Sequence, residues 1–277
     1  MPNPNRKVSI ILACHNRVRK TLLCLESLAA SFPEGWSREV ILVDDGSTDG
    51  TADQVRRLFP ETIIITGTGN WFWAKSMYEA QNKVSKDSDY LIMLNDDVEL
   101  FHSAFSRVEL LAKQYPEDVL VGQFKSRTDE RLSYGVLRQV GRHPLKYAMI
   151  SNLESTTEID VFHGNFVFIP KRVVEKVGLI DGAFEHAYAD FDYALRIRNF
   201  GFKIRSVPGF IGYCEPHNLE WPTNVYDRLT LVFSKKGLPW RSQLRYLRKY
   251  GPIEWPLYFL APYIRAILAI RGKSDIH

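Results

Sequence analysis

A chain of 277 residues with 45% hydrophobic and 25% charged side chains has the apolar material for one sizeable core, which excludes a disordered or fibrous protein. The net charge of +4 is mild, and the excess is local: Lys235, Lys236, Arg241, Arg245, Arg248 and Lys249 follow one another with no acid between them, a patch suited to nucleic acid or equally to an anionic lipid surface. Three cysteines, Cys14, Cys24 and Cys214, show neither an even count nor Cys-x-x-Cys spacing, which argues against a disulfide framework and a zinc site and points to a reducing compartment.

Arg6 and Lys7 precede an apolar run over 8–13 that is too short for a signal peptide, so a cytoplasmic location is expected. Short β-branched runs over 8–13, 39–43, 62–66 and 90–94 predict strands, and the stretches 18–30, 51–59 and 73–84 between them carry helical periodicity. That alternation predicts an α/β fold, a mostly parallel central sheet flanked by helices. Ligands bind such sheets at the carboxyl ends of the strands. The residues there are His15-Asn16, then Asp44-Asp45-Gly46-Ser47-Thr48-Asp49, then Gly67-Thr68-Gly69-Asn70, then Asn95-Asp96-Asp97.

From about residue 120 the pattern is less regular. Strands are predicted over 159–162, 166–169, 203–207 and 210–213, with a helix after Pro170. The last stretch, 254–271, is apolar and aromatic but is interrupted by Pro256, Pro262 and Arg265, short of the roughly 20 clean residues a membrane span needs. Beside the basic run it reads either as an interfacial anchor or as a helix docked on the core or on a second subunit.

Two adjacent acids after an apolar strand, Asp44 and Asp45, place carboxylates where they can accept hydrogen bonds from a nucleobase or ribose, while Ser47, Thr48 or Asp49 can cap the following helix. The apolar 91–94 delivers Asn95-Asp96-Asp97 from a buried strand. Hard divalent cations take oxygen ligands, commonly one or two carboxylates plus substrate phosphates. If the segment stays extended, Asn95 and Asp97 share a face and Asp96 turns toward sugar or ribose. Taken alone, the triplet is also compatible with a solvated acidic turn.

The stretches CHNR, VDDGSTDGT and LNDDV in this order resemble glycosyltransferase family 2, whose members have the nucleotide-diphospho-sugar (GT-A) fold. The resemblance implies that His15, Asn16, Asp44 and Asp45 hold the nucleoside, that Asn70 and Lys75 approach the donor, that Asn95 and Asp96 contact ribose or sugar, and that Asp97 is a ligand of Mn²⁺ or Mg²⁺. Asn95 stands where many members have an Asp. Lys75 also has a plain reading as the i,i+4 partner of Glu79, and Trp71 and Trp73 read as core or as stacking platforms. Further on, Gly164-Asn165-Phe166 and Tyr188-Ala189-Asp190-Phe191-Asp192 resemble the family's acceptor half, which makes Asp190 the catalytic base and Gly164, Asn165 and Asp192 acceptor contacts. Ala189 replaces the usual Glu there, and His217 falls near a metal-ligand position. The plain reading of Asp190 and Asp192 is a pair of helix N-terminal carboxylates.

The implied organisation is a GT-A domain over 1–220, with a nucleotide-sugar half 1–119 and an acceptor half 120–220, followed by a basic, aromatic helical extension over 221–277. The implied partners are a nucleotide-diphospho-sugar and a glycan or lipid-linked acceptor, with no nucleic acid, and with a membrane surface or a second copy of the chain at the extension. A nucleotidyltransferase on the same fold and a saccharide-binding protein without catalysis are the alternatives. Against the first, Ala13-Cys14-His15-Asn16-Arg17 has no glycine; against the second, Asp97 and Asp190 are both present.

Overall fold

The structure is a computed structural model that describes residues 6–150, 154–185, 187–216, 224, 226–227, 230 and 239–267. His217, Lys235 and Lys236 lie outside the described residues.

The first half follows the alternating pattern. Strands β1 (Lys7–Cys14), β2 (Ser37–Asp44), β3 (Ile63–Thr66) and β4 (Tyr90–Leu94) are separated by helices α1 (Val18–Ser31), α2 (Thr51–Leu58) and α3 (Phe72–Gln81). Their order in the sheet is β3-β2-β1-β4, all pairs parallel. Period-2 alternation in β4 sends Ile92 and Leu94 to one face and Leu91 and Met93 to the other. Both faces are covered. The buried row Thr21, Cys24, Leu25, Leu28 of α1 has the 3, 4, 7 spacing of a helix stripe, and packs with Val8, Ile10 and Leu12 of β1. Ala74, Met77 and Ala80 of α3 join Ile11, Ile41 and Val43 on the opposite face.

Beyond β4 the chain forms β5 (Glu99–Leu100), α4 (Ala104–Gln114), β6 (Val119–Lys125), β7 (Leu132–Tyr134), β8 (Val136–Gln139), β9 (Tyr147–Ile150), β10 (Val161–Phe162), β11 (Phe166–Pro170), α5 (Lys171–Val177), α6 (Ala189–Asn199) and β12 (Ile204–Tyr213). The sheet continues β4-β11-β6-β12-β5 and turns mixed: β11 is antiparallel to both β4 and β6, whereas β12 is parallel to β6. A small sheet, β10-β8-β9, lies apart from this path. The α/β sheet with flanking helices is therefore as predicted, parallel in its first half. Two predicted strands, 203–207 and 210–213, are one strand, whose register with β6 slips between Ser206 and Phe210 around Pro208-Gly209. The central strand β6 escaped the sequence reading because Gly122 and Gln123 interrupt its apolar run.

Two helices, α7 (Trp240–Tyr250) and α8 (Trp255–Ile267), follow. Tyr246 and Leu247 are fully buried, and Tyr246 joins the core cluster that holds Ala194 and Ile197 of α6, so α7 is docked on the body of the protein. Three of its four cations are ion-paired there, Arg241 with Glu185, Arg245 with Asp181 and Lys249 with Asp192, while Arg248 lies over the Trp255 ring. The two readings of 254–271 concern α8, whose Tyr263 hydroxyl donates to Gln243 of α7 at 3.2 Å. In α8, Leu257, Leu260 and Ile264 are exposed, and Ile253 just before it is 90% exposed.

Candidate active site

Because β1, β2 and β4 run the same way, their carboxyl ends share one edge of the sheet: Cys14 is level with Asp44, and Asp44 with Thr66. Antiparallel β11 begins at that edge, with Phe166 opposite Leu94, so residues 163–165 arrive there from the second half. Parallel β6 and β12 end there as well, Lys125 beside Tyr213.

The first loops are braced against one another. His15 Nδ1 lies 2.7 Å from the carbonyl oxygen of Asp45, and the Asn16 amide nitrogen lies 3.2 Å from His15 Nε2. Asn16 Oδ1 accepts the Thr48 N–H at 2.7 Å, while its own N–H donates to Ser47 Oγ. Asp49 accepts from the backbone N–H of Val18 and of Thr51, tying the starts of α1 and α2 together. Asp44 Oδ1 accepts from Ser47 N–H.

Asp45 departs from its expected role. Its buried carboxylate accepts three backbone N–H groups, from Gly69 at 2.8 Å and from Trp71 and Phe72 at 2.9 Å each, so it organises the 67–72 loop. Gly46, at φ +72°, lets the two loops touch, since a Cβ there would meet the Gly69 nitrogen at 2.9 Å. Asn70 remains exposed on this edge. Lys75 follows its plain reading, ion-paired to Glu79 at 2.5 Å and lying over the Tyr78 ring.

The triplet turns sharply after β4 instead of continuing extended, so the expected alternation of faces does not apply. Asn95 Oδ1 accepts the Trp73 indole N–H at 2.8 Å, which ties the triplet to α3. Asp96 is buried, 4% exposed, and faces protein: Arg17 Nη1 at 3.2 Å and Thr21 Oγ1 at 3.3 Å. Burial pushes its carboxyl up to about 6, with Asp97 adding to the effect and Arg17 opposing it. Asp97 borders a pocket of about 120 Å³ together with Lys20, Leu23, Glu99, Arg127, Tyr213, Cys214 and Glu215. Its Oδ2 is 3.0 Å from Arg17 Nη1 and 3.9 Å from Lys20 Nζ, and its Oδ1 is 3.6 Å from Cys214 Sγ, a thiol that burial keeps protonated. Among the described residues no three His, Cys, Asp or Glu side chains converge in a metal-binding cluster. A carboxylate 18% exposed, now ion-paired to Arg17 and backed by a second acid, fits a hard cation that displaces the arginine and takes its remaining ligands from phosphate and water.

Trp73 joins the two halves of the site. Its indole lies flat against Gly164, where any Cβ would collide with ring carbon Cζ2. Gly164 is thus a close-approach glycine under Trp73. Asn165 is buried, its amide N–H directed to Cys214 Sγ at 3.3 Å and its carbonyl accepting from Asn95 N–H at 3.1 Å. Both set the distance between β4 and β11. The neighbouring His163, which the sequence reading passed over, places Nδ1 3.8 Å from Asp190 Oδ2. Asp190 stands in the first turn of α6, partly exposed, with Oδ1 accepting the Phe191 N–H at 2.9 Å.

Asp192 is a further correction. It is fully buried, held by Arg196 Nε at 2.9 Å, Lys249 Nζ at 2.5 Å and Tyr250 OH at 2.9 Å. Its role is to clamp α7 onto α6. Among the described residues, three of the four non-glycine residues with positive φ, namely Asn16 (52°), Phe72 (56°) and Tyr188 (70°), adjoin this edge or the start of α6. Such backbone persists only where surrounding contacts enforce it, as the braces on Asn16 and the Asp45 bond to Phe72 do.

The model of the family described as glycosyl transferase family 2 matches residues 9–178, more than half of the chain. The chain belongs to glycosyl transferase family 2. The matched part of this family 2 chain holds the loops after β1 to β4 and the Trp73–Gly164 junction, and it ends before α6 and Asp190. No curated protein matches the sequence. Among solved structures, GalNAc-T7 with UDP, GalNAc and Mn²⁺ is similar with a TM-score of 0.69 at 16% identity over 96% of this chain. This chain spans only 52% of that structure's length. TarS 1-349 of S. aureus is similar at TM-score 0.57 and 15% identity, covering 94% of this chain and 81% of that one. The mannosyltransferase PcManGT of Pyrobaculum calidifontis, in complex with GDP-Man and Mn²⁺, is similar at TM-score 0.55 and 16% identity, covering 99% and 79%. These likenesses show the GT-A fold.

Proposed function

We propose that this family 2 chain is a metal-dependent, inverting glycosyltransferase that moves a sugar from a nucleotide-diphospho-sugar to an acceptor hydroxyl. The observation that carries the reading is a chain of contacts that links two partly exposed carboxylates: Asn95, beside Asp97, accepts from Trp73, Trp73 packs on Gly164, and the adjacent His163 lies 3.8 Å from Asp190. Two of the similar structures hold Mn²⁺ with a nucleotide or nucleotide sugar, which supports a donor of this class.

Asp97 would hold Mn²⁺ or Mg²⁺, which when bound neutralises charge on the departing nucleoside diphosphate. The exposed His15, Asn16 and Asn70 line the donor side of the edge. Asp190 removes the proton from the acceptor hydroxyl as that oxygen attacks the anomeric carbon, and the single displacement inverts configuration. Its backbone is fixed by the first turn of α6, which is held in turn by Asp192. Replacing Asp190 by Asn is expected to lower turnover at least about 100-fold while leaving nucleotide binding intact. Normal turnover in a folded D190N protein, or a product whose anomeric configuration matches the donor by NMR, would overturn the base assignment or the inversion.

The acceptor reading is a glycan or lipid-linked glycan of bacterial surface polysaccharide assembly, met at the inner face of the membrane. Leu257, Leu260 and Ile264 of α8 support it, because positions 0, 3 and 7 form one apolar helix stripe that faces outward, with exposed Ile253 in the turn before the helix. Among the described residues no helix is long and apolar enough to cross a membrane, so such a contact is superficial. Equal sedimentation of the full chain and of a Leu257→Glu/Leu260→Glu variant with anionic liposomes would remove this reading.

A further inference from the structure

Arg17 contributes to the acidic triplet although nothing in its position within CHNR marks it for that task. Its backbone is held on both sides: Asn16 is pinned to Ser47 and Thr48, and Val18 donates to Asp49. Its carbonyl accepts from Thr21 N–H at 2.9 Å and lies 3.0 Å from Thr21 Oγ1, fixing the entry into α1. From this base the side chain brings a single nitrogen, Nη1, to 3.2 Å from Asp96 Oδ1 and 3.0 Å from Asp97 Oδ2. One positive atom bridging two carboxylates of different residues takes the place that a divalent cation on Asp97 would contest. Nε and Nη2 make no hydrogen bond among the described residues, and the side chain is 39% exposed, so the other edge of the guanidinium is open.

These two edges have opposite consequences for the two ligands. A divalent cation approaching Asp97 alone meets a fixed positive charge already seated on its carboxylate, with Lys20 a second one 3.9 Å away. A nucleoside diphosphate brings anionic oxygens that suit the free fork of Arg17, which can bind them bidentately. We propose that Arg17 is the internal counter-ion of the Asp96–Asp97 pair and that it makes divalent-cation binding conditional on the nucleoside diphosphate. The inference rests on the metal and donor reading above and deepens it. The diphosphate draws the guanidinium off the acids, the cation takes the vacated carboxylate, and each ligand favours the other through a charge that both displace. By linkage the coupling is reciprocal.

The test measures Mn²⁺ binding to the full chain by electron paramagnetic resonance of free Mn²⁺, alone and with saturating UDP or GDP. In the wild type, Mn²⁺ alone binds weakly and a nucleotide tightens it. Arg17→Gln is expected to bind Mn²⁺ alone about tenfold tighter than wild type and to show a correspondingly smaller nucleotide effect. Arg17→Lys, which retains the charge but not the fork, is expected to bind Mn²⁺ alone as weakly as wild type and to show a smaller nucleotide effect. Because Asp96 is buried, Arg17→Met provides a second neutral variant that keeps the aliphatic stem, with circular dichroism as the check on folding for each. If folded Gln and Met variants bind Mn²⁺ alone no tighter than wild type, the counter-ion inference fails and the donor site stands. If no form binds Mn²⁺ even with UDP or GDP, the metal reading fails and takes the inference with it.

Discussion

Asp96 is an acid whose ionisation destabilises the fold. Burial, augmented by Asp97, lifts its carboxyl from 3.8 to about 6 even with Arg17 beside it. The folded chain therefore holds the proton more tightly than the unfolded chain does. Between those two pH values the folded state binds more protons, so stability falls as pH rises, and the loss is complete above about 6. At 1.36 kcal/mol per pH unit of difference, the gap amounts to about 3 kcal/mol at neutral pH. Asparagine copies the shape of the protonated acid and cannot ionise. Asp96→Asn is thus expected to be more stable than wild type by up to about 3 kcal/mol at pH 7.5. The advantage should shrink toward zero by pH 4. Urea unfolding monitored by tryptophan fluorescence measures it, with a chelator present so that no cation neutralises the pair. The comparison between the two proteins cancels the opposite contributions of Glu39 and Asp49, whose carboxyls are lowered by hydrogen bonds. A variant no more stable at pH 7.5, or an advantage that does not change with pH, would refute the reasoning.

Asp192→Ala should cost about 3–5 kcal/mol in urea unfolding, because it strands Arg196 and Lys249 without their buried partner and frees α7 from α6. Gly164→Ala forces a methyl into the Trp73 ring and should destabilise by about 1–3 kcal/mol, with a shifted tryptophan emission that reports the displaced indole. Unchanged stability and emission would mean that Trp73 is not packed against β11 as described.

The elements that alternate strictly were legible. The predicted strand 90–94 has the bounds found for β4, and the edge at which the polar loops gather followed from parallel pairing alone. The second half was harder to read for identifiable reasons: Gly122-Gln123 break the pattern of β6, and Pro208-Gly209 divide β12 with a bulge. The three-cation face of α7 read as a free basic surface because its acids, Asp181, Glu185 and Asp192, lie about 50 to 65 residues earlier in the chain.

By itself the sequence determined the α/β class, the family and the edge of the sheet that bears the site, since periodicity and strand direction are local properties. Only the tertiary structure decided which polar groups at that edge are left for a ligand. Asp45, Asn95, Asn165 and Asp192 look like binding groups in the sequence, yet Asp45 and Asp192 accept from donors 24 or more residues away, Asn95 accepts from Trp73 at a separation of 22, and Asn165 donates to Cys214 at a separation of 49. A buried polar atom must be paired, and its partner comes from whichever element packs against it. That choice leaves Asp97 and Asp190 partly open, and puts Arg17 between the acids.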